Sequence, residues 1–170
     1  MKFFTSFAFI FFTINSSLFN FNECNQSDSS LYCDSIPSVN KQIIVFVKNN
    51  IGKKVGRGEC WDLANEALNF ISAKWDGEYN FGKEIKYMNE CVFPGDIVQF
   101  ENVELNYKIG DNQFTEKLLH HTAIIYTIKS KGQFVMADQN TGRSGKKVGL
   151  SPFNLDDIKK GKIKIFRPVK

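Results

Sequence analysis

With 22 Lys and Arg set against 18 Asp and Glu, the 170-residue chain carries a formal charge of +4. That balance suits an anionic polymer as partner but is too weak to imply nucleic-acid binding, and no RRM-, KH- or zinc-finger-like pattern is present. Length and a 42% hydrophobic content fit one domain with a real core.

Met1–Ile14 reads MKFFTSFAFIFFTI, a lysine followed by a short apolar run, and Asn15-Ser16-Ser17 come next. This has the shape of a secretory signal peptide and is too short for a membrane span. Residues 1–20 are therefore expected to be a leader, although no clean Ala-x-Ala pattern marks the cut. The mature protein is expected to be secreted or lumenal, without stable membrane insertion.

Four cysteines follow: Cys24, Cys33, Cys60 and Cys91. In an oxidising compartment three full pairings are possible. Residues 21–50 are expected to form an N-terminal segment stapled locally by Cys24–Cys33, with a short helix behind it. Cys60 paired to Cys91 is the alternative, and it would make this a disulfide-stapled structural or toxin-like protein. No CxxC pair is present, and the adjacent His120-His121 alone does not make a zinc site, so no metal or cofactor is expected.

The apolar positions Val39, Ile43, Ile44, Phe46 and Val47 fit a helix over Ser38–Asn50, and a strand also accommodates them. Gly56-Arg57-Gly58-Glu59-Cys60-Trp61-Asp62 then delivers a cysteine to the start of a second helix. Leu63, Ala64, Ala67, Leu68 and Ile71 recur at helical spacing and carry that helix from Cys60 to about Ala73. A cysteine at a helix N-terminus is biased toward thiolate, the nucleophilic form. The plainer alternatives are a buried small hydrophobe or half of a disulfide.

Trp75–Glu90 reads as an irregular stretch. Tyr79, Phe81 and Tyr87 there either rim a substrate groove or pack back on the core, the second being the commoner fate of loop aromatics.

From Cys91 the pattern turns to strands. Phe93-Pro94-Gly95-Asp96 is a turn in which Asp96 fixes the bend. Ile97–Phe100 is a short strand, and Val103–Ile109 continues the meander to a turn at Asp111–Gln113. His121–Ile128 and Gln133–Asp138 form a hairpin around Lys129–Gly132. Ser151–Lys160 reads as a short helical turn and Ile163–Arg167 as the last strand. The expected fold is α+β: N-terminal helices on a small antiparallel sheet or partly open barrel of about five strands.

His121 opens one hairpin strand, and Asp138 to Asn140 close the other. A carboxylate or amide from that end would orient the imidazole toward a thiol. His120 should face the opposite side, because strand side chains alternate. Arg57 and Arg143 either flank a cleft that attracts carboxylates or sit on a solvated face.

These residues resemble a known pattern. Gly58-Glu59-Cys60-Trp61-Asp62-Leu63 looks like the nucleophile turn of CHAP (cysteine, histidine-dependent amidohydrolase/peptidase) and NlpC-type domains. Pro94–Phe100 is similar to their Pro-Gly-Asp strand, and His121–Tyr126 to their His-Val-Ala-Ile-Val strand. Asp138-Gln139-Asn140 resembles the Glu-Gln-Asn tripeptide of CHAP domains.

The resemblance implies a papain-like fold over residues 51–170 and hydrolysis of amide bonds, usually in peptidoglycan. It assigns Cys60 as nucleophile and His121 as general base, with Asp138 or Asn140 holding the imidazole. Two positions depart from the pattern: Asp138 is one methylene shorter than Glu, and Glu59 stands where many CHAP domains have Gln. A papain-like protease of protein substrates and a non-catalytic binder on the same fold are the alternatives.

Overall fold

The computed structural model describes Cys33 and residues 35–170. The leader and Cys24 lie outside these residues. Two helices come first, α1 (Ser38–Asn50) and α2 (Cys60–Phe70). Six strands follow: β1 (Lys83–Ile85), β2 (Ile97–Ile109), β3 (Asn112–Ser130), β4 (Gln133–Asp138), β5 (Gly149–Asn154) and β6 (Ile158–Arg167), with a 3-10 turn at Leu155–Asp157. They form one antiparallel sheet in the order β1-β6-β2-β3-β4-β5. The class is α+β, as expected, with six strands instead of about five.

The strand period of two gives the sheet two apolar faces. On one, Ile97, Ile124, Ala137 and Phe166 meet Ile43 and Val47 of α1 and Leu63, Ala64, Ala67 and Leu68 of α2. On the other, Val98, Phe100, Leu105, Ile125, Phe134 and Phe153 form a second cluster without a helix. The helix face seats α2 against the sheet, and Cys60 is the first residue of α2.

α2 stops at Phe70, short of Ala73, β3 starts at Asn112, well before His121, and three further segments differ from the sequence expectation. Ser151–Lys160 is not a helical turn: only Leu155–Asp157 winds, and Gly149–Asn154 pairs with β4 through Phe134–Phe153 and Met136–Ser151. Pro152 hides that strand from a propensity reading, yet β5 is a sheet edge, where a residue without an N–H is tolerated. Ile158–Lys162 extends the last strand back from the expected Ile163. Within Trp75–Glu90, Lys83–Ile85 adds a short edge strand on β6. Phe81 there is fully buried and stacks on Trp75 at 5.8 Å, so it packs on the core.

The disulfide also differs. Cys33 bonds Cys91, 58 residues away, not Cys24. Long-range polar contacts explain the choice. Asn40 of α1 donates to the Pro94 carbonyl at 3.0 Å and to Asp96 Oδ1 at 2.7 Å. Those bonds dock the start of α1 on the turn ahead of β2, and so bring Cys33 beside Cys91. Asp96 fixes its turn by accepting from the Phe93 N–H at 2.9 Å, and it is fully buried. Among the described residues, Cys60 is the free cysteine, so the Cys60–Cys91 alternative loses its partner.

Candidate active site

The loop before α2 makes a compact turn around one carboxylate. Asp62, in the first turn of the helix, accepts from the backbone N–H groups of Arg57 at 2.7 Å and Glu59 at 3.2 Å. The Arg57 guanidinium closes on the same carboxylate at 2.8 Å. Burial opposes the charge on Asp62, but the hydrogen bonds from Arg57 and from the two backbone N–H groups outweigh it and hold its pKa below the usual value. Gly56 and Gly58 permit the turn. Both have positive φ, and a Cβ would fall 2.9 Å from the Asp62 Cβ or 2.8 Å from the Lys146 Cβ. Side chains are thus excluded twice over.

A second clamp comes from the end of β4. Gln139 is fully buried. Its amide nitrogen donates to the carbonyls of Val55 at 2.9 Å and Glu59 at 2.8 Å, and its oxygen accepts from the Val55 N–H at 3.2 Å. The residue after Asp138 thereby holds the residue before Cys60.

His121 lies inside the long strand β3, not at its start, and pairs with Phe100 of β2. Ile124 pairs with Ala137, which sets Asp138 one residue past the last β3–β4 pair. His121 Nε2 meets Asp138 Oδ2 at 3.0 Å, and both residues are buried. A carboxylate only accepts, so Nε2 carries the proton and Nδ1 is left for Cys60. The Cys60 thiol and the His121 imidazole are near enough for each to shift the other's titration.

The two groups perturb one another. Burial pushes the Cys60 thiol up. Hydrogen bonds from His121 and the Thr122 backbone, the imidazolium charge and the Trp61 N–H outweigh burial and bring its pKa below the usual value. For His121, burial lowers the pKa, while Asp138 and Cys60 raise it further, from 6.5 to about 9. His121 is therefore imidazolium near neutral pH, and its charge biases Cys60 toward thiolate.

Of the four residues singled out in the sequence, Cys60, His121 and Asp138 come together. Asn140 does not join them. Its backbone turns left-handed at φ 62, and its amide donates to Glu59 Oε2 at 2.7 Å. Lys146 holds the other oxygen of Glu59 at 2.8 Å. His120 faces away, as the strand period requires, and its Nδ1 meets Glu101 at 2.9 Å. Tyr79 packs edge-on against the His120 ring at 4.3 Å. Arg57 is engaged with Asp62, and Arg143 with the Tyr107 hydroxyl at 2.8 Å. Sequence reasoning missed the Gln139 clamp, although that residue stood inside the Asp138–Asn140 tripeptide. Among the described residues, no group of three or more His, Cys, Asp or Glu is arranged to hold a metal.

The AIM3/BBC1 cysteine proteinase-fold domain model matches residues 34–170. The chain belongs to this family. The AIM3/BBC1-family domain is 28% identical over 141 residues to Altered inheritance of mitochondria protein 3 of Debaryomyces hansenii. That match covers 72% of this chain but only 15% of the yeast protein. Two crystal structures of Ly7917 are also similar. The one with the hydrolysing product of MDP is 18% identical, with a TM-score of 0.46, over 76% of this chain and 63% of that chain. The other is 15% identical, with the same TM-score, over 76% and 62%.

Proposed function

We propose that this AIM3/BBC1-family domain is a cysteine amidohydrolase or peptidase, with Cys60 as nucleophile, His121 as general acid and base, and Asp138 orienting the imidazole. The observation that carries the reading is the line from Cys60 through His121 to the Asp138 carboxylate, with the thiolate–imidazolium pair already favoured.

The Cys60 thiolate attacks the amide carbon. The carbonyl oxygen becomes an oxyanion, and the Cys60 backbone N–H at the N-terminus of α2 helps to hold it. The imidazolium gives its proton to the leaving amine, the C–N bond breaks, and an acyl-thioester remains. Neutral His121 then takes a proton from water, whose oxygen attacks the thioester, and the thiolate leaves. No cofactor enters this chemistry. Asp138 keeps the ring in the working tautomer and offsets its charge.

The substrate class rests on the CHAP/NlpC-type motifs: an amide bond in peptidoglycan peptides, met outside the cell or in a lumen. The leader-like N-terminus and the Cys33–Cys91 disulfide support an oxidising compartment. Digestion of purified peptidoglycan by the mature protein beside Cys60→Ala, with products read by mass spectrometry, tests the proposal. Wild-type-only release supports it, and the fragment masses name the bond. Turnover of protein or peptide substrates alone would make this a protease.

A binding role on the same fold is the competing reading. It is favoured by the relative named for mitochondrial inheritance, of which this chain matches only a small part. Equal retention of a ligand by wild type and Cys60→Ala, with no turnover by either, would establish it.

A further inference from the structure

His121 must reach the leaving nitrogen to protonate it, so the departing amine fragment lies on the surface beyond His121. That surface is a groove. The 140–143 loop and Tyr107, Phe114 and Leu118 of the β2–β3 hairpin line it together with His121. It adjoins a cavity of about 350 Å³ on the helix-free face of the sheet, which shares Tyr107, Leu118, His121 and Arg143.

The groove has a definite chemistry. Tyr107 and Phe114 stack at 5.7 Å, and Phe114 stays 41% exposed, an apolar surface with no protein cover. Arg143 stands over the Tyr107 ring at 5.3 Å and gives one N–H to its hydroxyl. Among the described residues no carboxylate forms an ion pair with Arg143. Glu116 accepts from that same hydroxyl at 3.3 Å. Lys108, Lys117 and Lys129 also line the two spaces, against Glu116 and Asp157, while Asp138 is already paired with His121. The balance facing an occupant is positive.

We infer that this groove is the amine-side subsite, built for a leaving fragment that carries a carboxylate and an apolar side chain, such as a short peptide or amino acid with a free C-terminus. Arg143 receives the carboxylate through its remaining forked N–H donors. The exposed Phe114–Tyr107 stack takes the apolar part. The inference rests on the cysteine-hydrolase reading and deepens it.

The test is acyl transfer. Full-length, disulfide-intact protein is acylated with an activated p-nitrophenyl ester of an N-acyl amino acid, and p-nitrophenol release reports thioester formation. Added dipeptides then compete with water. The acceptor amine attacks the thioester carbon, a C–N bond forms, the C–S bond breaks, and His121 takes the amine proton. Dipeptide acids are compared with the matching amides at equal free-amine concentration. The ratio of their capture cancels any change in acylation.

The expected ratio is about tenfold in favour of the acid, as one charge-assisted pair supplies. It should fall near one in Arg143→Gln, reverse in Arg143→Glu and persist in part in Arg143→Lys. A wild-type ratio of one, or a ratio unmoved by Arg143→Gln while p-nitrophenol release continues, overturns the subsite and leaves the hydrolase reading standing. Release no faster than in Cys60→Ala overturns both.

Discussion

The side-chain amide of Gln139 donates to the Glu59 carbonyl at 2.8 Å. Gln139 follows Asp138, and Glu59 precedes Cys60, so one buried amide ties together the two ends of the proposed catalytic line. Gln139→Met keeps the volume but leaves the Val55 N–H unpaired and takes one donor from each of two carbonyls, which keep only the Gly58 and Asp62 N–H groups. A loss of about 3 kcal/mol is expected from buried groups of this kind. Gln139→Glu should be worse, because a carboxylate would then face the Val55 and Glu59 carbonyls. Urea denaturation checks the order. The turnover loss of any variant that still folds should be about tenfold or more, since the nucleophile is no longer held in register.

The ion pair sets the pH behaviour. Cys60 titrates below its usual value and His121 at about 9. Thiolate with imidazolium therefore exists between those limits. Hydrolysis should fall as pH drops through the lowered Cys60 pKa, where the nucleophile is protonated. It should fall again as pH rises through about 9, where the acid for the leaving amine is lost. Asp138→Asn removes the carboxylate that raises His121. The upper limb should then move to lower pH and turnover should drop on the order of a hundredfold. A pH–rate profile, with iodoacetamide alkylation of Cys60 followed alongside, reads both limbs. An alkylation profile matching that of an ordinary free thiol would refute the pairing.

Much of this was legible in local pattern. The apolar spacing over Ser38–Asn50 allowed either a helix or a strand, of which α1 is the first, and the glycine-spaced turn put Cys60 at the start of α2. Strand alternation separated His121 from His120. What stayed hidden depends on contacts between distant residues. Asp138 and Asn140 are equivalent candidates until the left-handed backbone at Asn140 turns its amide to Glu59. β5 carries a proline and β1 only three residues, so neither has a periodicity to read. The partner of Cys33 follows from how Asn40 docks on Asp96, 56 residues along the chain.

That disulfide is expected to matter chiefly for stability. It closes a loop across a separation of 58 residues, tying the start of α1 to the turn before β2. Chain-entropy arguments put its effect near 4 kcal/mol. Cys33→Ser with Cys91→Ser should lower the denaturation midpoint by a matching amount while leaving the Cys60 alkylation rate at neutral pH unchanged. A drop in that rate would show that the disulfide also shapes the site.

Asp96 and Arg167 make the sharpest structural prediction. Asp96 is fully buried, and Arg167, 71 residues later in β6, meets its two oxygens at 3.1 and 2.9 Å. The same guanidinium donates to the Cys91 carbonyl and lies 4.6 Å over the Phe93 ring. One side chain thus joins the last strand to the turn that starts β2. Arg167→Met would leave a buried carboxylate with only Asn40 and the Phe93 N–H, and breaking a pair in this way costs about 3 kcal/mol or more. Asp96→Asn in the same chain removes the unpaired charge and should recover part of the loss. Thermal melts of the two single variants and the double variant measure the coupling. Additive losses would mean that the two residues act independently. A double variant more stable than Arg167→Met would show that the cost lies in the stranded charge.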